Sequence, residues 1–430
     1  MSNSTKGLAR LTSVISILVL WNSSMAGDPC NHSGEAESPV SRQRLKGILE
    51  KLASNDIPIY RAAEELVFLP ELDQRQSKEF FEAILKAGHD YPLFATSTRF
   101  IHAMAFCGPT QVDNLLVTIR KGEASEEEKM ACLAAIARMG GLAKRASPVL
   151  KDQLNDKKLA PEIRTALMIT LESIGEGSNS NRKQIGQTLK ENNCPLGMLV
   201  WSGSVQWMTE SMIEDLTAGL ELPKGEKRSV AYDGLIGPTI ILGLLAERSK
   251  IATRKLEAIL KQAVDDDSLF CVDAALCLSR IEPEKGESYM RSSLKKHCIY
   301  NHLGHAMIGF ITEYSYLLVD QHTTDLLVKM LDDPDSQVSR GAAFLLIAAG
   351  SSARSGFAEV LKRFRNASNA EKRDEYEYIL RNIGNGSHLA RLKSDADKES
   401  IQEVRGGLNR IINAIEKLED KGEAFMRYVK

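Results

Sequence analysis

Cys298, His302 and His305 fall at i, i+4 and i+7 within the run HCIYNHLGH, residues 297–305. On a helix that spacing sets all three on one face, and a thiolate with two imidazoles is a donor set for zinc or copper. A closed site needs a fourth ligand, and no second Cys/His cluster in the chain supplies it. Asn301 and Gly304 also leave the start of such a helix ambiguous. These side chains are therefore expected to pack against a neighbouring element or line a polar surface. No resident metal and no cofactor is expected.

Trp201 and Trp207 are the other residues that stand out. Both lie in CPLGMLVWSGSVQWM, residues 194–208, where apolar periodicity is poorest. Large aromatics anchor partners at interfaces. They also fill a core where a regular pattern has degenerated, and both readings stay open. The acidic runs Asp265-Asp266-Asp267 and Asp332-Asp333-Pro334-Asp335 lack the central glycine and distal glutamate of a calcium loop. They read as inter-helix turns and helix caps. No phosphate loop, dinucleotide glycine motif or serine-hydrolase elbow occurs. The chain is read as a non-enzyme.

The elements that must position these residues come next. The chain has 430 residues, 43% hydrophobic and 26% charged, with a formal net charge of −2. That charge gives no basic face for nucleic acid. The N-terminus has the layout of a cleaved export signal: Lys6 and Arg10, an apolar run from Leu11 to Trp21, and Ser24-Met25-Ala26 before Gly27. The apolar run is too short to span a bilayer, which takes about 20 residues. Cleavage after Ala26 leaves 53 basic against 57 acidic residues, a net charge of −4. The expected address is secreted or periplasmic, with no stable membrane insertion after cleavage. Seven cysteines remain, an odd count. Cys271 and Cys277 lie about 9 Å apart along one helix, beyond disulfide reach. Buried free thiols are expected, with at most one bridge.

Residues 27–41 are polar and aperiodic and read as a flexible leader. From Arg42 helical spacing takes over, and no alternating strand pattern appears. The stretch DLLVKMLDDPDSQVSRGAAFLLIAAG, residues 325–350, joins an apolar run, an acidic turn, and an alanine-rich run that closes on glycine. Similar stretches close on Gly108, Gly140, Gly175 and Gly384, and with Gly350 the five closing glycines stand at gaps of 32, 35, 175 and 34 residues. The long gap is five periods of 35, with hairpin ends placed near Ala246 and Ile281. The glycines are expected to end helices in left-handed caps, the turn aspartates to cap the second helices, and Pro238 to open a helix.

This pattern resembles HEAT repeats, including the related units first grouped with phycobiliprotein lyases. The likeness rests on Pro148 in a first helix and on Asp156, Asp332 and Asp333 in the turns. It rests also on the second-helix openings Ile163-Arg164-Ala166 and Val338-Arg340-Ala342-Ala343, the latter with Ser339 splitting the usual valine–arginine pair. It implies an all-α fold, a right-handed superhelical α-solenoid of roughly 10 or 11 helical hairpins. The expected layout is a signal (1–26), a leader (27–41), repeats (42–175), degenerate repeats with irregular loops (176–249), repeats (250–385) and C-terminal capping helices (386–430). Small residues in the second helices (Ala131, Ala134, Ala135; Ala274, Ala275; Ala342, Ala343) are expected to admit close helix approach. The resemblance implies a non-catalytic scaffold that binds a protein or peptide along its concave surface, lined by the second helices. A metal-binding protein or metal-dependent enzyme using the Cys298–His302–His305 face, and a structural part of an envelope assembly, are the alternatives. The lyase activity of the related units acts on cytoplasmic substrates and conflicts with the export signal.

Overall fold

The computed structural model describes residues 46–50, 65, 74–90, 98–120, 124–191, 194–221, 228–266, 268, 270–296 and 318–417. Among them the regular elements are helices, and no strand occurs. The export signal, the leader and the Cys298–His302–His305 face lie outside the described residues. The described residues form two compact units. One holds residues 74–283; the other holds residues 284–417 with 46–50 and 65.

The first unit contains α1 (Gln74–Asp90), α2 (Thr98–Phe106), α3 (Val112–Arg120), α4 (Glu126–Met139), α5 (Ser147–Leu154) and α6 (Pro161–Ser173). It continues through α7 (Asn179–Lys190), α8 (Leu196–Ser202), α9 (Glu210–Ala218), α10 (Arg228–Leu245), α11 (Thr253–Asp265) and α12 (Phe270–Ile281). The even-numbered helices pack in succession from α2 to α12. Of the odd-numbered helices, α3, α5, α9 and α11 each lie against the helix that follows, while α7 bridges α6 and α9.

The second unit contains α13 (Gly286–Lys296), α14 (Gln321–Met330), α15 (Ser336–Ala349), α16 (Phe357–Asn366), α17 (Ala370–Ile383), α18 (Leu389–Lys398) and α19 (Gln402–Glu416). Here α13, α15, α17 and α19 pack in succession, while α14, α16 and α18 each cover the helix that follows.

The sequence explains which helix goes where. α11 buries the apolar residues Leu256, Ile259, Leu260, Ala263 and Val264, one stripe at i, i+3, i+4, i+7 and i+8, with charged residues opposite. It can bury one face and no more. α12, FCVDAALCLSRI, is buried on every side, and only Asp273 keeps part of its surface exposed. The alanines of α4, α12 and α15 are buried to within 3%, the close approach that small side chains permit. Gly341 and Gly407 extend the same principle. A Cβ on Gly341 would lie 2.8 Å from a Leu294 methyl carbon, and one on Gly407 would lie 2.5 Å from the Phe364 ring.

Side chains tie each pair to the one before it. In the first unit the Thr170 hydroxyl donates to the Leu133 carbonyl at 3.3 Å and Arg280 Nε to the Gly243 carbonyl at 2.9 Å. The Cys277 thiol donates to Thr239 O at 3.1 Å and Lys255 Nζ to Thr217 O at 2.9 Å. Donor and acceptor are 37 or 38 residues apart in all four. In the second unit Arg410 clamps Glu377 through two bonds of 2.8 and 2.6 Å across 33 residues.

Gly108, Gly140, Gly175 and Gly350 all take positive φ (85°, 56°, 77° and 55°), and Ala246 does so as well, at 50°. Three of these sites open matching seven-residue 3-10 segments: Gly140–Ala146, Ala246–Ala252 and Gly350–Gly356. The sharp break lets the next outer helix fold back. Gly384 differs. Its φ is −71°, and it is glycine for space: a Cβ would meet Ile415, the Leu380 carbonyl and Phe357 within 2.9 Å.

Other local expectations also need correction. Pro238 lies inside α10, not at its start, because the helix begins ten residues earlier at Arg228. Within the region 176–249, expected to hold degenerate repeats with irregular loops, Ser178 caps α7 by accepting from Asn181 N at 3.1 Å. Asp156 does not cap α6, whose N-cap is Ala160 followed by Pro161. Its carboxylate instead accepts from Lys158 N at 2.8 Å and shapes the turn. The segment Ser336–Asn366 is long and apolar enough to cross a membrane by composition, but 72% of its most apolar window is buried and it breaks at Gly350 into the buried α15 and the amphipathic α16. Glu65, 2% exposed, accepts from Gly386 N at 3.2 Å in the second unit, a contact that neighbour-on-neighbour stacking does not account for.

Cys107, Cys132, Cys194, Cys271 and Cys277 are free. Burial pushes the thiols of Cys107, Cys132 and Cys194 up to about 12 and that of Cys277 higher still. They behave as small hydrophobes rather than nucleophiles.

Two stability tests follow from these positions. Ala246→Gly relieves a positive φ and is expected to stabilise the protein by about 1 kcal/mol, whereas Gly140→Ala costs a similar amount; denaturant melts of both variants check this. Burial pushes the Asp273 carboxyl up to about 7 from its usual value near 3.8. The unfolded chain releases this proton near pH 4 and the folded chain keeps it to near 7, so stability declines as pH rises between those values. Asp273→Asn is expected to raise the melting temperature at pH 8 and to flatten that decline between pH 4 and 7.

Candidate functional site

A cleft of about 570 Å³ opens in the second unit, where the α14–α15 turn meets the α16–α17 turn. Its size falls in the usual range for ligand sites, roughly 300–1,000 Å³. Leu331, Pro334, Ala367 and Tyr376 give it apolar surface. The rest of the wall is polar and carries both signs of charge.

The acidic turn builds one side. Asp335 caps α15 by accepting from Gln337 N at 3.0 Å. Asp333 accepts from Asp335 N at 2.9 Å and from Arg291 Nη1 at 3.1 Å, with a second contact to Arg291 Nη2. Asp332 receives Arg363 Nε at 3.0 Å and the Tyr376 hydroxyl at 3.4 Å. On the facing side Asn369 caps α17 by accepting from Lys372 N at 2.8 Å. Lys372 Nζ in turn donates to Glu375 Oε2 at 2.9 Å. The other Glu375 oxygen is buried without a partner. Burial first, then the charges of Asp332 and Glu375, push the Tyr376 hydroxyl up to about 12. It remains a protonated donor at neutral pH.

Two charged groups in the wall have no partner among the described residues. They are Arg340 on α15 and Glu371 on α17, both exposed. Arg340 stands out against its counterparts. In α6 the fourth residue after the N-cap is Arg164, whose guanidinium donates to the carbonyls of Leu154 at 2.8 Å and Asp156 at 2.5 Å. In α17 the same position is Arg373, which donates to Ala367 O at 3.1 Å. Each arginine ties its helix to the preceding turn. In α15 that position is Ser339, and the arginine stands one residue later. One residue is about 100° around a helix. Arg340 therefore leaves the turn and faces the cleft. The cue was visible in the sequence as the serine that splits Val338 from Arg340, but its consequence depends on where the cleft lies.

The sequence candidates fare differently. Cys298, His302 and His305 lie outside the described residues. Among the described residues no group of three or more His, Cys, Asp or Glu is placed to hold a metal. Trp201 belongs to α8, and its side chain is not among those described. Trp207 sits half-buried in the turn after α8, with its indole nitrogen buried and unpartnered. That turn is held by Arg248, which donates to Gln206 O at 2.6 Å and to Met208 O. The two tryptophans are not brought to the cleft; they belong to the first unit, and the cleft to the second.

No known protein family matches the chain, and no curated protein matches it. Among solved structures, a crystal structure of an engineered protein from the Northeast Structural Genomics Consortium is similar over 87% of this chain and 99% of its own, at 18% identity and a TM-score of 0.23. A likeness at that score carries no argument.

Displacement of the arginine gives a direct test. Arg164→Ala removes two bonds to turn carbonyls and is expected to cost about 1–3 kcal/mol. Arg340→Ala is expected to leave stability within about 0.5 kcal/mol of the parent, the usual range for an unpaired surface residue. Urea melts of the two variants decide it.

Proposed function

We propose that the protein is an exported, non-catalytic scaffold of HEAT-like helix pairs, stacked as an α-solenoid, that binds a protein or peptide partner. Support for the stacking comes from the cross-links at 37 to 38 residues in the first unit and from the recurrent breaks at Gly140, Ala246 and Gly350. Each helix pair hides its oily side only against its neighbours.

The observation that carries the binding role is the open, two-signed cleft between the α14–α15 and α16–α17 turns. The second helices are poor candidates for the contact surface. In α6, α12 and α15 nearly every residue past the first turn is buried, so little side chain is left to meet a partner along them. The turn edge of the second unit is the better surface, because its polar groups are already ordered and some are unspent.

The mature chain, residues 27–430, serves as bait for the exported fraction of its source cell. We expect a partner that re-forms a complex of fixed stoichiometry when both proteins are purified and mixed. Absence of any such complex, together with stoichiometric zinc or copper that is lost in Cys298→Ser, would sink the scaffold in favour of the metal-binding reading.

A further inference from the structure

The cleft also says what kind of ligand it suits. Of the charged groups in its wall, Asp332 is met by Arg363, Asp333 by Arg291 and Glu375 by Lys372. Those three pairs are internally compensated. What remains is one cation, Arg340, on the α15 side and one anion, Glu371, on the α17 side. Their opposite signs exclude a simple anion site and a nucleic-acid groove, both of which need a surplus of positive charge. The same wall carries small neutral groups. Among the described residues the Asn366 amide and the Ser368 hydroxyl have no partner, and Asn369 spends only its carbonyl oxygen on capping α17. Such groups match the alternating N–H and C=O of an extended backbone.

We infer that this cleft binds an extended peptide segment that carries one acidic and one basic side chain, the acid paired with Arg340 and the base with Glu371. The volume suits a few residues of a segment rather than a folded domain. The arginine is free for this role because Ser339 occupies the position at which Arg164 and Arg373 tie down their turns. The proposal deepens the partner-binding reading and rests on it. It names the element of the partner that this face would hold.

A random twelve-residue peptide library displayed on phage supplies the probe, selected against the immobilised mature chain. The expected result is enrichment of peptides with an acidic and a basic residue at fixed spacing. Synthetic copies should lose about tenfold or more in affinity for Arg340→Glu and for Glu371→Lys. The double variant Arg340→Glu/Glu371→Lys should recover affinity for the copy with its two charges exchanged. Both positions are exposed and unpaired, so the melting temperatures of the variants should match the parent, and that measurement excludes misfolding as the cause of a loss. Enriched peptides that bind parent and variants equally would overturn the cleft assignment while leaving partner binding in place. Failure to enrich any peptide would also overturn it, and the complex with the purified partner would then judge the broader reading alone.

Discussion

An α-helix that is apolar on every side has to be covered on every side. That requirement governs the organisation of both units. α12 and α15 bury nearly every residue beyond their first turns, and the lone carboxyl on α12, Asp273, holds its proton to near neutral pH because burial penalises the charge. Such helices are stable only between flanking copies, with amphipathic helices laid over them. The outer helices α5, α11, α14, α16 and α18 need a single apolar stripe, and their remaining surface is free to be charged. The division into inner and outer helices thus follows from the number of faces each sequence can bury.

The joints between helices are held by a different set of forces. Where the chain turns sharply, backbone conformation decides, and glycine or a strained alanine takes the first position of a 3-10 segment. Where the turn is longer, an arginine in the next helix binds its carbonyls, as Arg164 and Arg373 do. Aspartates shape the same turns by accepting backbone N–H groups. These devices leave turn edges rich in ordered polar groups. Displacement of one arginine by a single residue then exposes an unspent cation without loosening the core, since Asp335 still caps α15. A binding surface at the turn edge therefore costs the scaffold little stability.

Helix content, helix pairing and buried free thiols were legible from one-dimensional patterns. Apolar spacing, closing glycines and alanine-rich second helices are local features, and local features survive into the folded chain. Ala246 at a hairpin end was also legible, because the period places a hairpin end there. Gly384 was misread for a physical reason. It occupies a closing position like Gly350, yet its φ is ordinary, and crowding from Ile415 and Phe357 explains it. Pro238 was misread because proline opens helices more often than it sits within them, and nothing nearby in the chain announces that α10 begins at Arg228.

By itself, the sequence determined the all-helical class, the pairing of helices and the burial of the second helix in each pair, since these depend on residue types within one or two turns of each other. Only the tertiary structure decided the rest: which aspartates meet Arg363 and Arg291, that Arg340 and Glu371 are left over, and that Glu65 reaches Gly386. Each of these depends on side chains separated by tens to hundreds of residues. Whether a charge is spent or free is a property of what faces it, and a linear pattern does not encode the facing group.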